Sequence, residues 1–440
     1  FIAGSILSGA SQNIDQLIAF RALQGLGSGA FFTVGLAVVG SSVAPEQRSR
    51  VLGVTGSIFG LGAIMGPTAG SYLVQSLGWR WIFYVNLPFG VISLVLIAIA
   101  LREVHGGQAK KPIDWIGAVL LSGWVSSLLL GVLNGGSTYP WYSLPEVIFF
   151  GGFIALLPVF LWNEARAVDP IIPLSLFRNR TISASFTVQF VRGAVLLGLT
   201  SYVSLFVQGS LGGNIDDTRN VLYAFVVPFM AGSILAGQLI NRLGYRIVTF
   251  VGVILMAVGT AMFAFIGPSP SIIGLILRSP LTGLGMGIGL ASVLSAFQNS
   301  VERRQIGVAS SLSTFSLTLG GAIGVSIVGA VQVNSLATRL AEIVQQAPVQ
   351  FRAQLGALLG NPNQVGQILN SPAALAQITA GYPQLANFMP QIRAALGGSI
   401  LDGFLVIFAM SIISVIASLF IPAPQKRASP AHDAPPAVAP

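Results

Sequence analysis

The sequence predicts an all-α membrane protein that crosses the bilayer many times and is built from two related halves. Three observations carry that prediction. Apolar runs of roughly 18 to 27 residues, long enough to span a hydrocarbon core as helices, recur from Phe1 to Ile421. Only 8% of the 440 residues are charged, where a soluble domain carries about 25%, and mean hydropathy is +0.80. Short glycine-bearing and charged stretches near residues 25 to 48 return in the same order near residues 283 to 304. A soluble globule is excluded. So is a transmembrane barrel, whose strands are about ten residues long and alternate in polarity.

Taken in order, the spans are 1–10 (partial), 17–39, 51–74, 80–101, 114–134, 146–163, 182–207, 219–240, 247–266, 271–294, 307–332 and 399–421. The loops between them set the orientation. One alternate set holds Arg48, Arg50, Arg102, Lys110, Lys111, Arg166, Arg178, Arg180, Arg242, Arg246, Arg303 and Arg304, and the tail adds Lys426 and Arg427. The opposite short loops hold only Arg80 and Arg219. Basic residues stay inside, so the rich side and the C-terminus are expected to be cytoplasmic at the cell membrane. The net charge of +9 therefore reads as topology, and no nucleic-acid partner is expected.

Two segments are not membrane. Residues 334–398 form a long extracytoplasmic loop with helical apolar spacing at Leu336, Leu340 and Ile343, then Asn, Pro and Gly breaks. A partly ordered cap is the expectation there, the alternatives being a surface that docks an extracytoplasmic partner and a poorly ordered loop. Residues 422–440 are rich in Pro and Ala with nothing to pack, and are expected to be a disordered cytoplasmic tail.

Gly25-Leu26-Gly27-Ser28-Gly29 recurs as Gly283-Leu284-Gly285-Met286-Gly287, and Pro45-Glu46-Gln47-Arg48 recurs as Val301-Glu302-Arg303-Arg304. Both copies run in the same direction, the pattern of a parallel repeat about an axis normal to the membrane. The offset maps Phe1 to the middle of the span 247–266, so Phe1 is expected to lie inside a helix, with about two further helices upstream. Residues 1–101 then form an incomplete N-terminal bundle. Residues 102–180 hold an inserted helix pair with its linkers, and 181–421 form the C-terminal bundle.

Three stretches carry chemistry. Arg21 lies within a span, where an arginine is expensive and rarely idle, with Gln24 one turn later. Its alternative role is a guanidinium snorkelling to the headgroups. Gly62, Gly66 and Gly70, with Pro67, line one face of 51–74 and permit close backbone approach to a neighbour. Gly237, Asn241, Arg242, Gly244 and Arg246 close a helix on the cytoplasmic side, where a glycine turn with basic residues can pair with acids of the other half as a gate.

Together these runs resemble the major facilitator superfamily, in its fourteen-helix drug:proton antiporter branch of the EmrB/QacA type. Arg21-Ala-Leu-Gln24-Gly25-Leu-Gly27 matches R-x-x-Q-G-x-G, and Gly62 to Gly70 matches the antiporter motif g-x-x-x-G-P-x-x-G. Trp79-Arg80-Trp81-Ile82-Phe83-Tyr84-Val85-Asn86-Leu87-Pro88 and Asp114-Trp115-Ile116-Gly117 are similar to further runs of that branch. The resemblance implies two pseudo-symmetric helix bundles with an inserted pair. It also implies proton coupling through Arg21, and export of amphiphilic drugs by alternating access. It places Asn241 where the stronger gate copy has aspartate.

The acids fall in loops, in the tail or near span ends, while Arg21, Arg192 and Arg278 lie within spans. The resemblance implies that their helices line a central cavity. Gln189, Arg192, Tyr202 and Arg278 are then the expected cavity residues, and their charge favours an anionic or zwitterionic amphiphile over a cation alone. The alternatives are an exporter of an endogenous anionic lipid or metabolite, and a truncated scaffold that transports nothing. An enzyme is not expected. No nucleophile–base pair or metal cluster is evident, no cysteine is present, and His105 and His432 stand apart. The glycine runs lack the lysine of a phosphate-binding loop, so no cofactor is expected.

Overall fold

The computed structural model describes residues 1–43, 45–100, 114–135, 139, 142–267, 270–371, 374–377 and 387–422. His105, His432, the basic residues of 102–111 and the tail from 423 onward lie outside them, as does the side chain of Pro67. The described residues are helical throughout apart from short connections and one isolated bridge between Gly135 and Tyr139. The all-α prediction holds.

The first part holds α1 (Ile2–Ala10), α2 (Ile14–Ser42), α3 (Pro45–Leu77), α4 (Trp81–Tyr84) and α5 (Asn86–Ala100). A helix pair follows, α6 (Trp115–Asn134) and α7 (Leu144–Glu164). The remainder is α8 (Arg180–Leu205), α9 (Ile215–Ala264), α10 (Ile272–Asn299), α11 (Ile306–Gln346), α12 (Val349–Leu359), α13 (Pro362–Leu369) and α14 (Met389–Leu419). Among the described residues nine helices are long and apolar enough to cross a membrane. One of them, α9, covers two predicted spans in 50 residues.

Helix starts follow side-chain chemistry. Asn13 caps α2 by accepting from the Gln16 amide at 2.8 Å. Asp114 caps α6 through Gly117, and its second oxygen accepts from Asn163 Nδ2 at 2.8 Å, tying the base of the helix pair together. Asn214 and Asp217 form a reciprocal capping box at α9. Trp124 stacks on Phe153 at 5.4 Å and joins α6 to α7.

Inside α9, Gly244 sits at φ 79°, ψ 156° and turns the chain between two crossings without a loop. That region is open essentially to glycine alone. Gly244→Ala is expected to cost about 1–3 kcal/mol, seen as a lower Tm of the purified protein. An unchanged Tm would show that the corner tolerates a side chain.

The main core belongs to the later helices. Phe206, Phe263 and Phe404 meet edge-on at its centre, with ring centroids 6.1 and 5.7 Å apart. The same core extends beyond the membrane-spanning length of α11. Leu336, Leu340 and Ile343 are buried there and join Leu355, Leu359, Val365 and Leu369 of α12 and α13. The helical apolar spacing expected at Leu336, Leu340 and Ile343 is met, and two short helices follow it. By contrast α2 and α5 leave most of their apolar side chains exposed, Leu26, Leu94 and Ile99 among them.

Candidate functional site

Arg21 and Gln24 lie one turn apart on α2, a spacing that puts both side chains on one face. Arg21 Nη1 donates to Gln24 Oε1 at 2.5 Å, and Gln24 Nε2 donates to Ser5 Oγ of α1 at 2.5 Å. Gln24 is buried while Arg21 is exposed, its guanidinium 5.8 Å from the Phe83 ring centre. The guanidinium is thus tied through Gln24 to α1. The Trp79–Pro88 run supports this corner. Arg80 Nη2 donates to the Ser11 carbonyl at 3.0 Å and stacks over Trp79, and Tyr84 packs against Gly9.

A second arginine–glutamine pair forms on α8. Arg192 Nη1 donates to Gln189 Oε1 at 2.5 Å, and Nη2 donates to the Met286 carbonyl of α10 at 2.6 Å. Arg192 is 1% exposed. Gly289 makes the room: a Cβ there would stand 2.7 Å from Arg192 Nε. Tyr202 and Arg278, expected in one cavity with this pair, make no contact with it among the described residues. Tyr202 lies ten residues on along α8, roughly 15 Å away, with its hydroxyl against Gly329. Arg278 lies near the start of α10 and folds its head back over Gly274. Shared depth in a membrane sequence does not fix rotation about each helix axis, and these side chains point to different neighbours.

The two parts of the chain meet where α3 crosses the first arm of α9, at the end of the molecule that carries the basic loops. Here glycine is required by close approach. A Cβ on Gly53 would stand 2.7 Å from the Ser233 carbonyl, and one on Gly237 would stand 2.7 Å from the Ser49 carbonyl. Gly56 packs on Ser233 and Leu290, and Gly60 on Met230. Ser233 Oγ donates to the Gly53 carbonyl at 3.0 Å, and Ser49 Oγ donates to Asn241 Oδ1 at 2.6 Å. Gln298 of α10 donates to the Leu36 carbonyl of α2 at 3.2 Å, beside a cluster of Leu36, Leu52 and Leu294.

Two expectations change with this geometry. The face of α3 that seals here is Gly53, Gly56 and Gly60, not Gly62, Gly66 and Gly70. A Cβ on any of the latter three would have no described atom within 4 Å. Small-residue spacing marks a face that can pack closely, but the same spacing runs the length of α3. In the gate run, Asn241 and Gly237 make the contact. Arg242 and Arg246 are exposed and form no ion pair among the described residues, so the predicted pairing with acids is absent in this conformation. No cluster of His, Cys, Asp or Glu suited to a metal occurs among the described residues.

Comparison with known proteins follows the same lines. The sequence model of the Major Facilitator Superfamily matches residues 1–325. The chain is 31% identical over 431 residues to the multidrug transporter protein MdtP of Bacillus subtilis (strain 168), covering 96% of this chain and 79% of that one. It is 28% identical over 406 residues to multidrug resistance protein 3 of the same organism, covering 90% and 79%. Its fold is similar to the crystal structure of the human organic anion transporter MFSD10 (TETRAN), with a TM-score of 0.54 at 15% identity, covering 93% of this chain and 74% of that chain.

Proposed function

Because this chain belongs to the major facilitator superfamily of membrane transporters, we propose that it exports amphiphilic small molecules by proton antiport with alternating access. The observation that carries this reading is the lopsided closure of the molecule. At the basic end, α3 and α9 are sealed by glycine contacts and the Ser49–Asn241 hydrogen bond, while a Cβ on Gly62, Gly66 or Gly70 of α3 would meet no described atom within 4 Å. A seal at one end and an open small-residue face at the other is what one of two exchanging states requires. The basic end is the cytoplasmic one, with the C-terminus on that side at the cell membrane. Arg21 and Gln24 couple the proton step, Gly62, Gly66, Pro67 and Gly70 form the opposing seal, and the run from Gly237 to Arg246 is the cytoplasmic gate. The names of the two Bacillus relatives support drugs as cargo, and the sequence runs support the fourteen-helix branch.

The test is substrate-dependent proton release from the purified protein, together with efflux from proteoliposomes under an imposed pH gradient. A lipophilic cation and an organic anion serve as cargoes. Release of protons on adding either cargo, and efflux that follows the gradient, are expected. Absence of both would leave a membrane scaffold. Efflux of the anion alone would favour the second reading, an exporter of an endogenous anionic lipid or metabolite, to which the buried Arg192 lends weight.

A further inference from the structure

Arg192 is a buried cation with no acidic partner among the described residues. A charge in such a place is normally paired or neutralised, because burial without compensation is costly. Gln189 and the Met286 carbonyl take two of its donors, and its Nε has no hydrogen-bond partner among the described residues. It does not stand alone. Ser185, Gln189 and Arg192 recur at four and three residues, on one face of α8. On α10, Ser292, Ser295 and Gln298 step away from Gly289 three residues at a time. That spacing falls short of a helical turn, so the stripe winds round α10. It begins at Gly289 against α8 and ends at Gln298, which donates to Ser310 of α11 and to the Leu36 carbonyl. Ser185 Oγ, Ser295 Oγ and Gln298 Oε1 are buried and have no hydrogen-bond partner among the described residues. Buried polar atoms in native proteins are rarely left so. These three lie between Arg192 and the basic end, where the chain is sealed.

We infer that Arg192 and Gln189 form the anion-binding end of the cargo site, closed in this conformation. The orphaned polar stripe of Ser185, Ser295 and Gln298 is its approach from the basic end once α3 and α9 part. The ligand class is an amphiphile with a carboxylate, sulfonate or phosphate head, which would meet the free edge of the guanidinium. Opening the seal would break the Gln298–Leu36 bond and the Leu36–Leu52–Leu294 contact, and so uncover the lower end of the stripe. This inference deepens the alternating-access reading and rests on it.

The chain has no cysteine, so single-cysteine variants report one position each. Dansyltaurine and dansylcadaverine share a fluorophore and carry opposite charges, a sulfonate and an ammonium. Saturable binding of dansyltaurine is expected, weakened about tenfold or more in Arg192→Gln, as befits loss of a hydrogen bond to a charged group. Arg192→Lys should fall between, and dansylcadaverine binding should be unaffected or tighter. In Ser185→Cys and Ser295→Cys, with Arg192 intact, a membrane-impermeant maleimide should label from the basic end and dansyltaurine should slow that labelling. If Arg192 is only a clamp between α8 and α10, Arg192→Gln would lower Tm and weaken both probes alike, and dansyltaurine would give no protection. That outcome overturns the site. Protection by dansyltaurine without substrate-dependent proton release would overturn proton antiport and leave the site standing.

Discussion

Gly56→Leu is expected to hold the basic end of the molecule open and to abolish turnover. A side chain there meets Ser233 and Leu290 across the seal. Overpacking of this kind costs about 1–3 kcal/mol, and each 1.4 kcal/mol is roughly a tenfold shift between two states. Gly66→Leu should also abolish turnover, but from the other side. A Cβ there meets no described atom within 4 Å in this conformation, so the side chain is expected to obstruct only the state in which that end closes. The two variants are therefore opposite locks. A cysteine at Ser49, which is buried in the seal, tells them apart: a membrane-impermeant maleimide should label it readily with Gly56→Leu and poorly with Gly66→Leu. Both proteins should remain membrane-inserted and keep near-normal Tm. Wild-type efflux from Gly66→Leu would mean that this face of α3 looks at lipid throughout the cycle.

Arg21→Ala is expected to remove proton-coupled efflux altogether while leaving the fold intact. The substitution deletes one hydrogen bond to Gln24 and one ring contact, and Gln24 keeps Ser5. A loss of about 0.5–1.5 kcal/mol in stability is the scale of such a bond. The loss in function should be far larger, because a neutral group cannot respond to a neighbouring proton. Arg21→Lys keeps the charge without the planar fork and should recover part of the activity. Efflux under a pH gradient and Tm, measured side by side, separate coupling from folding. Unchanged efflux in the alanine variant would reduce Arg21 to a support for the α1–α2 corner.

Much of this architecture was legible in the residues. The apolar runs located the helices, because hydrocarbon length and backbone satisfaction leave few alternatives. Leu336, Leu340 and Ile343 announced a helix beyond the membrane, and all three are buried. The i,i+3 spacing of Arg21 and Gln24 foretold a pair, since a helix places such side chains on one face. What stayed hidden was rotation and partner. Glycines recur along the whole of α3, and only the position of α9 selects Gly53, Gly56 and Gly60. Arg192, Tyr202 and Arg278 were grouped by helix, and the side chains turned out to have separate surroundings. Ser185, Ser295 and Gln298 escaped notice because a serine in a membrane helix usually bonds its own backbone, as Ser292 does to the Ile288 carbonyl. Their orphaned atoms emerge only with the packing.

The corner at Gly244 has a mechanical consequence. With no loop between the arms of α9, there is no slack to absorb a displacement of one arm relative to the other. Between them sits α10, whose Gly283 and Gly287 press on Phe225 and Phe229 of the first arm, while Gly285 presses on Gly252 and Met256 of the second. Backbone against backbone on both sides, these three crossings are stiff in the way a wedged beam is stiff. Leverage applied where α3 leans on Ser233 would be delivered whole to Gly289, and through it to the guanidinium of Arg192.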